Sequence, residues 1–270
     1  MCNWLPAGER CRMRQLISIV AFSLREAMRA NFFIGVAVFA ALSILVGGLL
    51  GGTPWGDVDQ VILSLGWGAI TVMALALGTL YTVQGIYRDR DRRTLYMLLA
   101  RPVTRTQYLL GKFLAMAILL AVSVAAMAGL LWGSVALYGN RTHELREFVL
   151  PGLWIWAKAV SLVGYAVAFG ISFSYLTALF FTASIYIIGF SLGGALDFVR
   201  TRQDAFMELL LSRIYVLFPN YDLVDVVARF VHEMAVPSAA WLVGASLYLI
   251  GYGLAALGIA AWFFELRDLE

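Results

Sequence analysis

The chain is short of charge. Asp, Glu, Lys and Arg make up 14% of its 270 residues, where a soluble domain carries about 25%. Apolar residues reach 61%. A core of this size cannot hide that much apolar surface, so most of it must face lipid. The net charge of +3 is too small for a nucleic-acid partner, and the basic residues flank apolar runs instead of forming a recognition face. The 2 cysteines, Cys2 and Cys11, precede the first apolar run and form no Cys-x-x-Cys pair, which leaves no disulfide framework. The reading is free cytoplasmic thiols. The 2 histidines, His143 and His232, each sit beside a glutamate and read as solvated, since a metal centre needs several converging ligands. The one Gly-Lys pair, Gly111-Lys112, lacks the upstream glycine of a P-loop, and Phe113 stands where Ser or Thr would hold magnesium. No nucleotide, metal or other cofactor is expected on this chain, and it is not expected to be an enzyme on its own.

What is present is a series of long charge-free runs: Ala30–Gly56, Gln60–Tyr87, Phe113–Asn140, Ala159–Leu196 and Met234–Phe264. A span needs about 20 apolar residues. The run Ala159–Leu196 is too long for one helix and, with Leu153–Ala157 added, fits two joined by a tight turn near Ser172-Phe173-Ser174. The expected fold is therefore all-α and polytopic, a single membrane domain over residues 30–270. Its six spans are placed near 30–50, 61–86, 106–138, 153–172, 175–196 and 239–263. Residues 1–29 form a cytoplasmic N-terminus with an amphipathic helix over 13–29, where Leu16, Ile17, Val20, Leu24 and Met28 recur at helical spacing. Met13 reads as a better start than Met1, so the first twelve residues are expected to be dispensable. No cleavable signal peptide is expected.

Lys and Arg set the orientation. Arg10, Arg12, Arg14, Arg25 and Arg29 precede the first span. Arg88, Arg90, Arg92, Arg93, Arg101, Arg105 and Lys112 follow the second. The loop after the first span offers only Asp57 and Asp59. Both termini are expected in the cytoplasm, in a multi-pass protein of the plasma (inner) membrane. Trp55, Trp132, Trp154, Trp156 and Trp241 then fall at the outer interface, where indoles prefer to sit. Residues 197–233 form a long outer amphipathic connection. Within it Phe198–Phe218 reads as a helix, Pro219-Asn220 as its break, and Asp222 as the cap of a second helix through His232.

The loop Arg88–Lys112 is the most informative stretch. Asp91 stands near the start of a short helix, where negative charge suits the dipole. Leu95, Leu98 and Leu99 share one apolar face, and Pro102 stops the helix. Thr104 with Gln107 makes a capping box for the third span. The product is a short amphipathic helix on the cytoplasmic surface between two spans.

The run Arg93-Thr94-Leu95, Leu98-Leu99, Arg101-Pro102-Val103, Arg105 and Gly111-Lys112-Phe113 resembles the signature loop of type-2 ABC exporter permeases. The branch it most resembles includes the permease of the nitrous-oxide-reductase maturation system. The ending Phe264-Glu265-Leu266-Arg267-Asp268-Leu269 and the element Phe218-Pro219-Asn220 resemble that branch as well. The resemblance implies that Asp91, Arg92, Arg93, Thr94, Leu95, Leu98, Leu99, Arg101, Pro102 and Arg105 belong to a coupling helix. It also implies two cytoplasmic ABC ATPases that bind the ATP and magnesium, and a second permease copy or a sister permease. The family often has a glutamate before this helix; here the carboxylates are Asp89 and Asp91.

Polar residues also mark two spans. Lys158, Ser161, Tyr165 and Ser172 share one face of the fourth. Tyr175, Thr182, Tyr186, Gly189 and Gly193 share one face of the fifth. Either these stripes pack helices together, with Gly189-x-x-x-Gly193 as a close-approach motif, or they border the path of an amphiphilic substrate. Lys158 lies about a turn below the outer interface, where snorkelling would also explain it. Two other functions stand beside an exporter subunit. A non-transporting assembly subunit would transmit force to an outer-face partner at 197–233. A secondary transporter would need ionisable groups at mid-membrane, and the spans offer none beyond Lys158.

Overall fold

A computed structural model describes residues 18, 20–25, 32–50, 58–91, 104–138, 145–202, 205–222, 226–231 and 238–266. Regular structure among them is helical throughout. In chain order the elements are α1 (Phe32–Leu50), α2 (Val58–Asp91), α3 (Arg105–Tyr138), a 3-10 turn at Leu145–Phe148, α4 (Val149–Ser172), α5 (Tyr175–Arg202), α6 (Ala205–Leu217), α7 (Val226–Val231) and α8 (Ala239–Leu266). Helix is the form such sequences must take in lipid, where each backbone N–H and C=O has to be satisfied within the chain.

Among the described residues, five stretches are long and apolar enough to cross a membrane: Gln60–Arg90, Thr106–Tyr138, Val149–Ser172, Tyr175–Arg202 and Ala240–Phe263. α1 lies where the first of the six spans is expected and its 19 residues carry no charge, but it is not among these five. At 1.5 Å per residue α1 is about 28 Å long, close to a hydrocarbon core of about 30 Å.

Local signals place several helix ends. The Thr104 N–H donates to Gln107 Oε1 at 3.1 Å and the Gln107 N–H donates to Thr104 Oγ1 at 3.3 Å. That is the reciprocal capping box read from the sequence. The turn between α4 and α5 falls at Phe173 and Ser174, as expected, and Ser174 Oγ lies 2.7 Å from Thr177 Oγ1. Ser238 Oγ accepts the Trp241 N–H at the start of α8. Pro151 sits in the first turn of α4, where its missing N–H costs nothing.

Two boundaries differ from expectation. The helix of the fifth expected span does not end at 196; α5 runs unbroken to Arg202. Residues 198–202 thus belong to α5, and the rest of the helix expected over 198–218 is the separate α6. The helix start that Asp222 is expected to cap lies outside the described residues, and α7 lies inside the expected second helix. Of the helix expected over 13–29, residues 20–25 are helical, with Leu24 packed on the core.

The centre of the bundle is α4. It packs on α8, α2, α3 and α5, while α1 sits against α2 and α3. Buried side chains line α4 on all sides, from Trp154 through Ala157, Leu162 and Val163 to Val167. Its closest neighbour is α8. A Cβ on Gly164 would overlap the Gly253 carbonyl and stand 2.6 Å from Gly253 Cα. Only glycine permits that crossing. By contrast α5 is peripheral, and Leu176, Phe180, Ile187 and Phe190 stay exposed on it.

Candidate functional site

Three regions carry polar side chains at positions that matter: the α2–α3 end of the bundle, the α4–α5 stripe, and the turn at 218–222. The first begins with α2 and α3 converging on the segment 92–103. Asp91 is the last residue of α2 and Arg105 the first of α3. Arg92, Arg93, Thr94, Leu95, Leu98, Leu99, Arg101 and Pro102 lie outside the described residues. What the structure adds is the base of this segment. Asp89 Oδ2 accepts the Tyr108 hydroxyl at 2.6 Å and the Lys112 ammonium at 2.7 Å. All three side chains are buried. Asp89 is thus committed inside the chain, not presented outward to a partner. Sequence reasoning missed this pairing. The available signal was the four-residue spacing of Tyr108 and Lys112, which puts both on one face of α3.

A cavity of about 630 Å³ opens at the same end, between α2 and the start of α5. Gln84, Tyr87, Arg88, Ser174, Tyr175 and Leu176 line it. Tyr175, expected on the polar stripe, therefore reaches α2, with its ring 5.8 Å from that of Tyr87.

The remaining stripe residues separate into two kinds. Ser172 and Thr182 donate to the carbonyls of Ala168 and Ala178 on their own helices, at 3.1 and 2.7 Å. Those hydroxyls are satisfied locally. Ser161 and Tyr186 instead converge on a residue the sequence did not single out, Tyr221. The Ser161 and Tyr221 hydroxyls are 3.3 Å apart, and the Tyr186 and Tyr221 rings 5.2 Å. Tyr165 stacks along α4 on Phe169 and stands within electrostatic reach of Tyr248 and Tyr252 on α8. Lys158 is buried, with its Nζ 5.3 Å from the Trp154 ring centroid. The ammonium reaches back toward the start of α4, as a snorkelling lysine does, but over an indole face inside the protein.

Tyr221 belongs to a turn that inserts among the helices. Asn220 Oδ1 accepts the Asp222 N–H at 2.9 Å, an asparagine turn that folds the chain back. The Tyr221 N–H donates to the Gly189 carbonyl at 3.2 Å. Its ring packs with Trp154, Leu242, Ala245 and Leu249. Burial pushes the Tyr221 phenol above its ordinary range, and the Ser161 hydrogen bond offsets part of that. The phenol therefore stays protonated at neutral pH. On the other side, Tyr252 donates to the Val216 carbonyl at 2.7 Å and ties α6 to α8.

The close-approach motif receives a turn, not a helix. Gly189 admits Pro219 and Tyr221, and Gly193 faces Asp222. Trp154 is wholly buried and packs with Tyr221, so its indole is covered by protein. Trp156 donates to the Ala117 carbonyl of α3 at 2.9 Å, while Trp132 and Trp241 remain exposed. Among the described residues no three His, Cys, Asp or Glu side chains converge to hold a metal ion.

Residues 17–196 match the family described as ABC-2 family transporter protein. No characterised protein matches the chain.

Proposed function

Since this chain belongs to the ABC-2 transporter family and is a multi-pass permease component of an ABC transporter, we propose that it serves an exporter driven by a separate cytoplasmic ATPase. The finer placement is the branch that includes the nitrous-oxide-reductase maturation permease, in the plasma (inner) membrane. With α1 as the first span the chain has six, and both termini face the cytoplasm. Two ATPase subunits and a second permease, identical or a sister, complete the assembly. ATP and magnesium bind the ATPases; this chain binds no cofactor.

The observation that carries the reading is the α2–α3 hairpin. Its two long helices end on either side of a basic, leucine-bearing segment, and a buried ion pair holds them together at its base. Closure of the ATPases around nucleotide would push on residues 91–101. The push would pass into α2 and α3 and shift them against α4, opening a route between two permeases. The substrate of this reading is amphiphilic, with membrane lipid as the surrounding partner. The stripe Lys158, Ser161, Tyr165, Ser172, Tyr175, Thr182 and Tyr186 borders its path. A second reading keeps the coupling but replaces transport with force on an outer-face partner at 197–233. The exposed Phe206, Leu209 and Val216 of α6 favour it.

The test is replacement of Leu98 and Leu99 by Asp. Burying those charges in an ATPase cleft costs several kcal/mol, whereas insertion of the spans is untouched. The ATPase should no longer co-purify with the variant. Equal co-purification, with turnover still responsive to the permease, would overturn the assignment.

A further inference from the structure

We propose that Asp89, Lys112 and Tyr108 are positioning residues for energy coupling: a buried tie that makes α2 and α3 move as one rigid fork. The proposal rests on the reading of 92–103 as the ATPase contact.

The place of the tie carries the argument. Asp89 is two residues from the end of α2. Lys112 lies seven residues into α3, about 10 Å along its axis. The first two turns of α3 therefore run beside the last turn of α2, and the tie clamps them where they emerge. One carboxylate oxygen takes both donors, at 2.6 and 2.7 Å. The three residues are at most 5% exposed, so water does not loosen the contact. Gly85 makes the room. One turn before Asp89, its missing side chain leaves space for the lysine stem, and a Cβ there would stand 3.0 Å from Lys112 Cε.

Stability alone does not explain an ion pair here, because a well-packed apolar pair at a buried site is commonly as stable or more so. What the ion pair adds is register. An apolar contact between helices in lipid carries no directional bond that fixes register. If α2 slid on α3, this buried contact between carboxylate and ammonium would have to break, which is costly. A push on 92–103 is thus not lost as slippage between its flanking helices. Both helices also pack on α4, so the fork moves as a unit against that central helix.

The test uses the full chain in lipid nanodiscs, with spin labels replacing exposed Leu80 on α2 and Leu114 on α3. A second pair joins Leu114 to exposed Phe180 on α5. In the complex with the ATPase, trapping with Mg-ATP and vanadate should leave the α2–α3 distance narrow and unchanged while the α3–α5 distance shifts. The neutral pair Asp89→Leu with Lys112→Met keeps an apolar contact and removes the register. It should broaden the α2–α3 distance in the chain alone and lose the permease's stimulation of ATP turnover, with the ATPase still bound. Tyr108→Phe removes one hydrogen bond from a side chain of the same shape and should broaden the distance partially, which keeps the test open if the double variant does not fold. Unchanged distances and unchanged turnover in the neutral pair would overturn the tie. So would an α2–α3 distance that shifts with nucleotide in the unaltered chain. If the ATPase never binds the unaltered chain, the functional reading falls, while the distances in the chain alone still decide whether the tie holds register.

Discussion

Gly189 and Pro219 approach so closely that a Cβ on the glycine would overlap the proline carbonyl oxygen and stand 2.8 Å from Tyr221 Cδ2. The contact is what seats the 218–222 turn between α4, α5 and α8. Replacing Gly189 with Ala should expel the turn, since neither obstacle is the far end of a flexible side chain. We expect a loss of about 1–3 kcal/mol, typical of overpacking, read by thermal unfolding in detergent, with Tyr221 becoming accessible to iodination. Gly194, where a Cβ meets nothing within 4 Å, is the control and should tolerate Ala. Equal behaviour of the two variants would contradict the seating of Tyr221 on α5.

The α4–α8 crossing makes a parallel prediction. Gly164→Ala drives a methyl into the Gly253 backbone, whereas Gly251→Ala meets open space. The first should lower the unfolding temperature and the second leave it unchanged. A Gly164→Ala protein as stable as the parent would mean that the two helices cross elsewhere.

Topology is checked with single cysteines in intact cells. Cysteines at Thr53 and Thr142 should react with an impermeant thiol reagent, and one at Thr104 should not. The expectation follows from arginines concentrated at 88–112 and absent from 51–59. Labelling at Thr104 with silence at Thr53 would invert the orientation.

The path along α4 and α5 is separable from packing by changes that keep volume. Tyr165→Phe and Tyr186→Phe remove only hydroxyls, and Lys158→Met removes only charge. If these groups border the route of an amphiphile, the triple variant should lose substrate-stimulated ATP hydrolysis in reconstituted complex while folding normally. Full stimulation would leave the stripes as helix contacts. Ser172 and Thr182 are poor choices for this experiment, since their hydroxyls are engaged by their own helices.

What the sequence determined by itself was local. Long uncharged runs became helices because lipid leaves the backbone no other choice. The turn at Phe173-Ser174 and the Thr104–Gln107 box were legible because their hydrogen bonds join residues at most four apart. Which faces of those helices meet was decided only in three dimensions. In water a helix buries its apolar stripe, so pattern predicts orientation. In a bilayer the outside is as apolar as the inside, and α1 and most of α8 carry no charge on any face. Nothing along the chain therefore singled out α4 as the centre, Trp154 as buried, or Gly189 as the seat of a turn and not of a helix. Asp89 and Lys112 read as two charges in a basic loop. They became one buried pair only when α2 and α3 ran side by side, because an ion pair is a property of a distance that sequence separation does not encode.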